Sequence, residues 1–167
     1  MGDSAPFDFD SLTLTEIIRL QNQLSAVLTR RFERPYALVF SDIVGSTAYF
    51  SRYGDEAGGR LQQQHVDLLA DAMIGTQGQF FHKAGDGALL GFPTPETAAD
   101  TMVRFHQSLR QLTCRLAPEQ QWTTRAAIHW GPVLVDETTV AGDTVNLCAK
   151  VTATAQPGEL RVTKSAF

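Results

Sequence analysis

Residues Phe80 to Phe92 read Phe-Phe-His-Lys-Ala-Gly-Asp-Gly-Ala-Leu-Leu-Gly-Phe. Two apolar runs flank a Gly-Asp-Gly triplet, and Asp-Gly between β-type runs is the strongest short-range hairpin signal a sequence carries. The chain must turn back on itself here, with Asp86 at the tip and its carboxylate held by two strands. Turn chemistry alone accounts for an Asp-Gly pair. A second acidic turn, at Asp42, raises the question of whether the two carboxylates belong together.

The length of 167 residues suits one domain, or one domain with an arm. A chain of this size buries roughly 68–70% of its unfolded surface, so a full core is within reach. A net charge of −4 argues against a nucleic-acid backbone or an anionic membrane as the main partner. No apolar run approaches the length of a membrane span. The acidic N-terminus lacks a signal-peptide pattern. The two cysteines, Cys114 and Cys148, have no metal-type spacing and read as reduced thiols, which places the protein in the cytoplasm.

Residues 1–13 read as a loose start. From Leu14 to Glu33 the pattern is helical, with Ile17, Leu20, Leu24 and Val27 at spacings of three and four and Thr13 or Ser11 as cap. Residues 1–34 then form a helical arm, either packed on its own domain or serving dimerisation or signal relay. Arg34-Pro35 ends that helix. Tyr36 to Phe40 reads as a buried strand running into Ser41-Asp42-Ile43-Val44-Gly45-Ser46-Thr47. A strand that enters a Gly-Ser-Thr turn and then a helix is a good phosphate cradle, because backbone N–H groups point outward there. It lacks the Walker A order.

Helix is expected to Phe50 and again from Asp55 to Ile74, with His65 at the surface or boundary. Thr94-Pro95-Glu96 starts another helix, on which His106 reads as solvated. Trp122 to Trp130 reads as a strand, Gly131-Pro132 as a turn, and Val133 to Val135 as a second strand. Gly142 to Thr152 is a short helix with Asn146 and Lys150 on one side. Leu160 to Val162 is the last strand. Strands and helices in this order, with a hairpin in the middle, make an α+β fold and not a doubly wound parallel sheet.

Four strings in register over residues 35–163 resemble the class III nucleotidyl (adenylate and guanylate) cyclase catalytic domain. They are Phe40-Ser41-Asp42-Ile43-Val44-Gly45-Ser46-Thr47, Gly85-Asp86-Gly87, the run from Arg125 to Val133, and Gly142-Asp143-Thr144-Val145-Asn146-Leu147 with Pro157-Gly158-Glu159-Leu160 behind it. The resemblance implies a ferredoxin-like, palm-type α+β fold over 35–167, with a mostly antiparallel central sheet and helices packed on it. It implies a head-to-tail homodimer whose sites cross the interface, or a heterodimer with another cyclase domain. It further implies that Asp42 and Asp86 hold two Mg²⁺ or Mn²⁺ ions, hard cations suited to carboxylate oxygen. Val44, Gly45, Ser46 and Thr47 would hold the outer phosphates, and Asn146 would orient the ribose.

Three positions depart from the family pattern. Lys150 stands where the family has an arginine, keeping the charge but losing the planar fork. His82 stands where adenylate cyclases have a base-reading lysine. Lys83 is one residue late, and one residue along a strand faces the other way unless the strand bulges. Thr139 replaces the partner aspartate. Imidazole N–H and hydroxyl can still meet the adenine edge, since each can donate or accept. The glutamate and cysteine usual for guanine reading are absent too, and ATP is expected ahead of GTP. Family members usually continue past the position of Phe167 into a strand pair that often carries a phosphate-contacting lysine. A domain without it is expected to have a weaker sheet edge and weaker triphosphate binding. The resemblance therefore implies slow conversion of ATP to 3′,5′-cyclic AMP and pyrophosphate. The alternative is a catalytically silent nucleotide-binding or regulatory dimerisation module.

Overall fold

The computed structural model describes residues 8–137 and 139–167; part of the expected loose start, 1–7, lies outside the described residues. In chain order the elements are α1 (Leu14–Phe32), β1 (Glu33–Ile43), α2 (Ser46–Met73), β2 (Gln79–Ala84), β3 (Gly87–Phe92), α3 (Pro95–Thr113), β4 (Thr124–Val135), β5 (Val140–Ala141), α4 (Asp143–Ala153) and β6 (Leu160–Val162). The sheet runs β2-β3-β1-β4-β5, with β6 also on β4. Only the β4–β6 pair is parallel. The α+β class with a mostly antiparallel sheet is thus present. No helix of the described residues is long and apolar enough to cross a membrane.

Local chemistry accounts for most boundaries. A capping box opens α1: the Thr13 hydroxyl accepts from the Glu16 N–H at 3.4 Å, and the Glu16 carboxylate accepts from the Thr13 N–H at 2.8 Å. Thr94 accepts from the Thr97 N–H and Pro95 opens α3, as read from the sequence. Gly54, at φ 84°, breaks α2 into two segments inside the gap expected between Phe50 and Asp55. None of the α1 residues is buried, and Ile17 and Leu24 are exposed.

Two strand expectations are corrected. β1 starts at Glu33, not Tyr36, so Pro35 lies inside a strand. Pro35 pairs with Pro132 of β4, while β3 joins β1 only from Ala37 onward. Along that stretch β1 is still open on one side, where a missing N–H does no harm. The Gly131-Pro132 turn does not exist either. β4 runs straight through it because Gly131 and Pro132 pair with Tyr36 and Pro35. The reversal comes later, at Asp136, whose N–H donates to the Thr139 carbonyl at 3.0 Å, and the short β5 follows.

The sheet has unequal faces. Ala37, Val39 and Ile43 of β1, Leu90 and Phe92 of β3, and Ala126 and Ile128 of β4 pack under α2 and α3 with Leu61, Leu69, Met102 and Phe105. The opposite face carries a smaller cluster of Leu38, Leu89, Val133 and Cys148 of α4, with Tyr36, Phe40 and Phe81 only partly covered. Leu69 is wholly buried in the larger cluster. Leu69→Ala is expected to destabilise the fold by about 3 kcal/mol. A lower urea midpoint at unchanged slope would show it, and an unmoved midpoint would contradict this packing.

Candidate functional site

Strand pairing brings the two aspartates together, and Asp42 proves to be in a strand and not in a turn. Asp42 lies next to last in β1, opposite Gly87 of β3 on one side and Arg125 of β4 on the other. Asp86 sits in the β2–β3 turn, and its carbonyl accepts from the Ile43 N–H at 3.0 Å. The two carboxylates sense one another. Burial, and less strongly the charge of Asp86, raise the Asp42 carboxyl above its usual range, while Arg125 opposes both. Arg125 donates from Nε and Nη2 to Oδ2 of Asp42, at 2.9 and 2.8 Å. Its Nη1 reaches the Ala153 carbonyl at the end of α4, at 3.5 Å. The Ser46 hydroxyl donates to Oδ2 of Asp86.

The strand-to-helix turn expected to cradle phosphate lies beside this pair. Gly45 caps α2 at φ 73°, a left-handed conformation that glycine adopts without cost. No side chain caps this helix end. The N–H groups of its first turn, around Ser46 and Thr47, therefore remain available to an anion. Val44 does not belong with them as expected, because its N–H already donates to the Thr123 carbonyl at 2.9 Å.

The donor set suits a hard divalent cation. Two carboxylates converge, and the guanidinium bonds only Oδ2 of Asp42. Among the described residues no group of three or more His, Cys, Asp or Glu gathers. Mg²⁺ commonly binds through one or two carboxylates and completes its shell with water and substrate phosphate.

The remaining candidates lie apart. Asn146 and Lys150 are exposed on α4. With His129, Asp143, Thr144 and Leu147 they line a depression of about 380 Å³ to which neither Asp42 nor Asp86 contributes. His82 is on β2 and Thr139 beside β5, at opposite edges of the sheet. Counted along the curled sheet, four strand spacings lie between those edges, a path of about 19 Å. Thr139 instead borders a groove with Leu28 and Phe32 of α1.

The β2 strand does bulge: Phe80 pairs with Leu90 and His82 with Leu89, leaving Phe81 as the extra residue. Directly paired residues share a face. His82 therefore lies on the Leu89 face, the same face as Asp42. Lys83 pairs with Ala88 on the other face, its Nζ 4.0 Å from the centroid of the Phe80 ring.

Two histidine expectations are corrected. His65 is not a surface residue. It is 1% exposed, and its Nε2 lies 2.9 Å from the Ser41 hydroxyl, itself fully buried. Leu61, His65 and Leu69 recur at i, i+4 and i+8, so the helical stripe already contained this signal. His106 is half-buried against Phe105 rather than solvated, with Nε2 buried and unpartnered. Its pKa is lowered by burial. The Arg125–Asp42 and Ser46–Asp86 bonds join residues far apart in the chain, and only the strand register reveals them.

Burial pushes the His65 imidazole down from 6.5 to about 4, partly opposed by the charge of Asp86. The folded chain then binds fewer protons than the unfolded chain between pH 6.5 and about 4. The stability that neutral His65 supports is whole above that window and falls as the pH drops through it, by roughly 3 kcal/mol in all. Urea midpoints followed from about pH 7 to about pH 4 should drop less steeply for His65→Gln than for the native chain. Parallel profiles would contradict the assignment.

No protein-family profile matches the chain. Over 122 residues it is 28% identical to the adenylate cyclase of Glutamicibacter nicotianae, covering 73% of this chain and 29% of that protein. Its fold is similar to that of the adenylyl cyclase CyaB from P. aeruginosa, at TM-score 0.72 and 17% identity, over 80% of this chain and 79% of that one. It is similar also to the guanylyl cyclase Cya2, at TM-score 0.71 and 21% identity, over 80% and 77%. The chain spans less than a third of the length of the curated relatives it matches.

Proposed function

We propose that this chain, which has the fold of the class III adenylate and guanylate cyclase domains, is a nucleotide cyclase domain converting ATP to 3′,5′-cyclic AMP and pyrophosphate at sites shared by two copies. The observation that carries this reading is the division of the site. Asp42 and Asp86 meet beside the cradle, while His82 and Thr139 stand at opposite sheet edges and Asn146 and Lys150 face out from α4. A head-to-tail second copy would supply α4 and the β5 edge to the carboxylate pair of the first. Two-fold symmetry would then make two equal sites. A heterodimer with another cyclase domain would complete one.

Asp42 and Asp86 would hold two Mg²⁺ or Mn²⁺ ions. Such ions lower the pKa of the ribose 3′-hydroxyl and neutralise the departing pyrophosphate. The 3′-oxygen bonds to the α-phosphorus as the bond to the bridging oxygen breaks, and the hydroxyl proton passes to water. Backbone N–H groups of Gly45, Ser46 and Thr47 hold the outer phosphates. The Asn146 amide orients the ribose. The Lys150 ammonium offsets charge on the α-phosphoryl group, without the two-pronged geometry of an arginine. His82 and Thr139 face the base, a hydrogen-bonding pair that suits adenine at N1 and N6. These three replacements also favour a second reading, a silent nucleotide-binding or dimerisation module.

Cyclic AMP formation from ATP and Mn²⁺ decides between the two. Asp42→Asn and Asp86→Asn are each expected to abolish it; turnover that survives both would sink the mechanism, and a native chain making no product supports the silent module. Mixing Asp42→Asn with Asn146→Ala chains should restore about a quarter of native activity, because half the dimers are mixed and each has one intact site. Lys150→Arg is expected to raise kcat by about tenfold or more. An unchanged kcat would remove Lys150 from the reaction.

A further inference from the structure

The proposed chemistry leaves unused the most deeply buried polar pair near the site. Ser41 and His65 are 0% and 1% exposed and 2.9 Å apart, Oγ to Nε2. The imidazole packs against Phe105 of α3, at 5.8 Å between centroids, and edge-on to Trp122 at 6.3 Å. It cannot swing away without displacing core aromatics. Ser41 immediately precedes Asp42. The two side chains point to opposite faces of the sheet, so fixing Ser41 from beneath fixes the backbone that aims Asp42 above.

The same helix reaches the other carboxylate. Ser46, in the first turn of α2, donates to Asp86, whereas His65 belongs to the segment beyond the Gly54 break. Two helical segments meeting at a kink thus grip the end of β1 and the Asp86 turn, one from below and one from the side. The β1–β3 pairing and the Ile43 N–H to Asp86 carbonyl bond close the loop between them.

We propose that the Ser41–His65 pair is a positioning element that sets Asp42 and Asp86 at the separation a divalent cation requires. The inference rests on the metal-site reading above. A hydroxyl both donates and accepts, so the bond to a neutral imidazole is satisfied in either tautomer. A neutral ring also adds no cation to compete for the carboxylates. Groups in this position orient metal ligands, and their loss commonly weakens metal affinity by about ten- to a hundredfold.

Mn²⁺ binding to the full chain, followed by electron paramagnetic resonance without nucleotide, tests this apart from turnover. Ser41→Ala and His65→Leu are each expected to raise the Mn²⁺ Kd by about tenfold. The double variant should be no worse than the singles, because the two groups act as one unit. His65→Gln, which keeps a polar group on the helix, should recover most of the affinity. Met102→Ala, a core truncation on α3, should lower the urea midpoint and leave the Kd unchanged. Native affinity in Ser41→Ala and His65→Leu would overturn the inference while leaving the metal site standing. So would an equal loss in Met102→Ala. A native chain that binds Mn²⁺ no better than Asp42→Asn would overturn both.

Discussion

The register of β1 between β3 and β4 is the constraint on which the rest depends. β1 pairs along all eleven of its residues with β4 and along its second half with β3. Its alternation sends Ala37, Val39, Ser41 and Ile43 toward α2 and α3, and Leu38, Phe40 and Asp42 to the other face. One register therefore both fills the larger core and delivers Asp42 to Arg125 and the Asp86 turn. A slip by one residue would turn Val39 and Ile43 to the wrong face and bury Asp42. The carboxylate cannot be misplaced without the core being misplaced as well.

The inequality of the two faces gives the fold its functional shape. The face under α2 and α3 is closed by large side chains, Phe92 and Phe105 among them. The face under α4 is closed over only part of its width, and Tyr36, Phe40 and Phe81 remain half-covered beside His82. On that incomplete face one chain holds the acidic pair at the centre and its remaining candidate residues around the margins. The proposed reading takes that arrangement as two halves of different sites. A physical link joins the acidic pair to α4: Arg125 bonds Asp42 with one edge of its guanidinium and touches the last carbonyl of α4 with the other.

Features written in local chemistry were legible without a structure. The Asp-Gly hairpin, the Thr13 and Thr94 caps, the end of α1 before Arg34-Pro35 and the break in α2 each depend on a few neighbouring residues. Gly131-Pro132 misled for the same reason. Taken locally it is a turn, and only pairing with Tyr36 and Pro35 holds it extended. The bulge at Phe81 has no local mark, since the extra residue exists only relative to Leu89 and Leu90. It keeps Lys83 on the far face and His82 on the face of Asp42. His65 stood in plain view on the Leu61–Leu69 stripe, but a histidine's ordinary place at the surface outweighed its spacing.

The sequence by itself determined the α+β class, the Asp86 turn and the glycine turn that opens α2, because turn chemistry and hydrophobic period act over a few residues. The tertiary structure decided what those turns touch. That Arg125 bonds Asp42, that Ser46 bonds Asp86, that Ser41 rests on a buried His65, and that His82 and Thr139 stand at opposite edges are consequences of strand order and register. Those are set by which apolar faces can be buried together, a choice the whole chain makes at once.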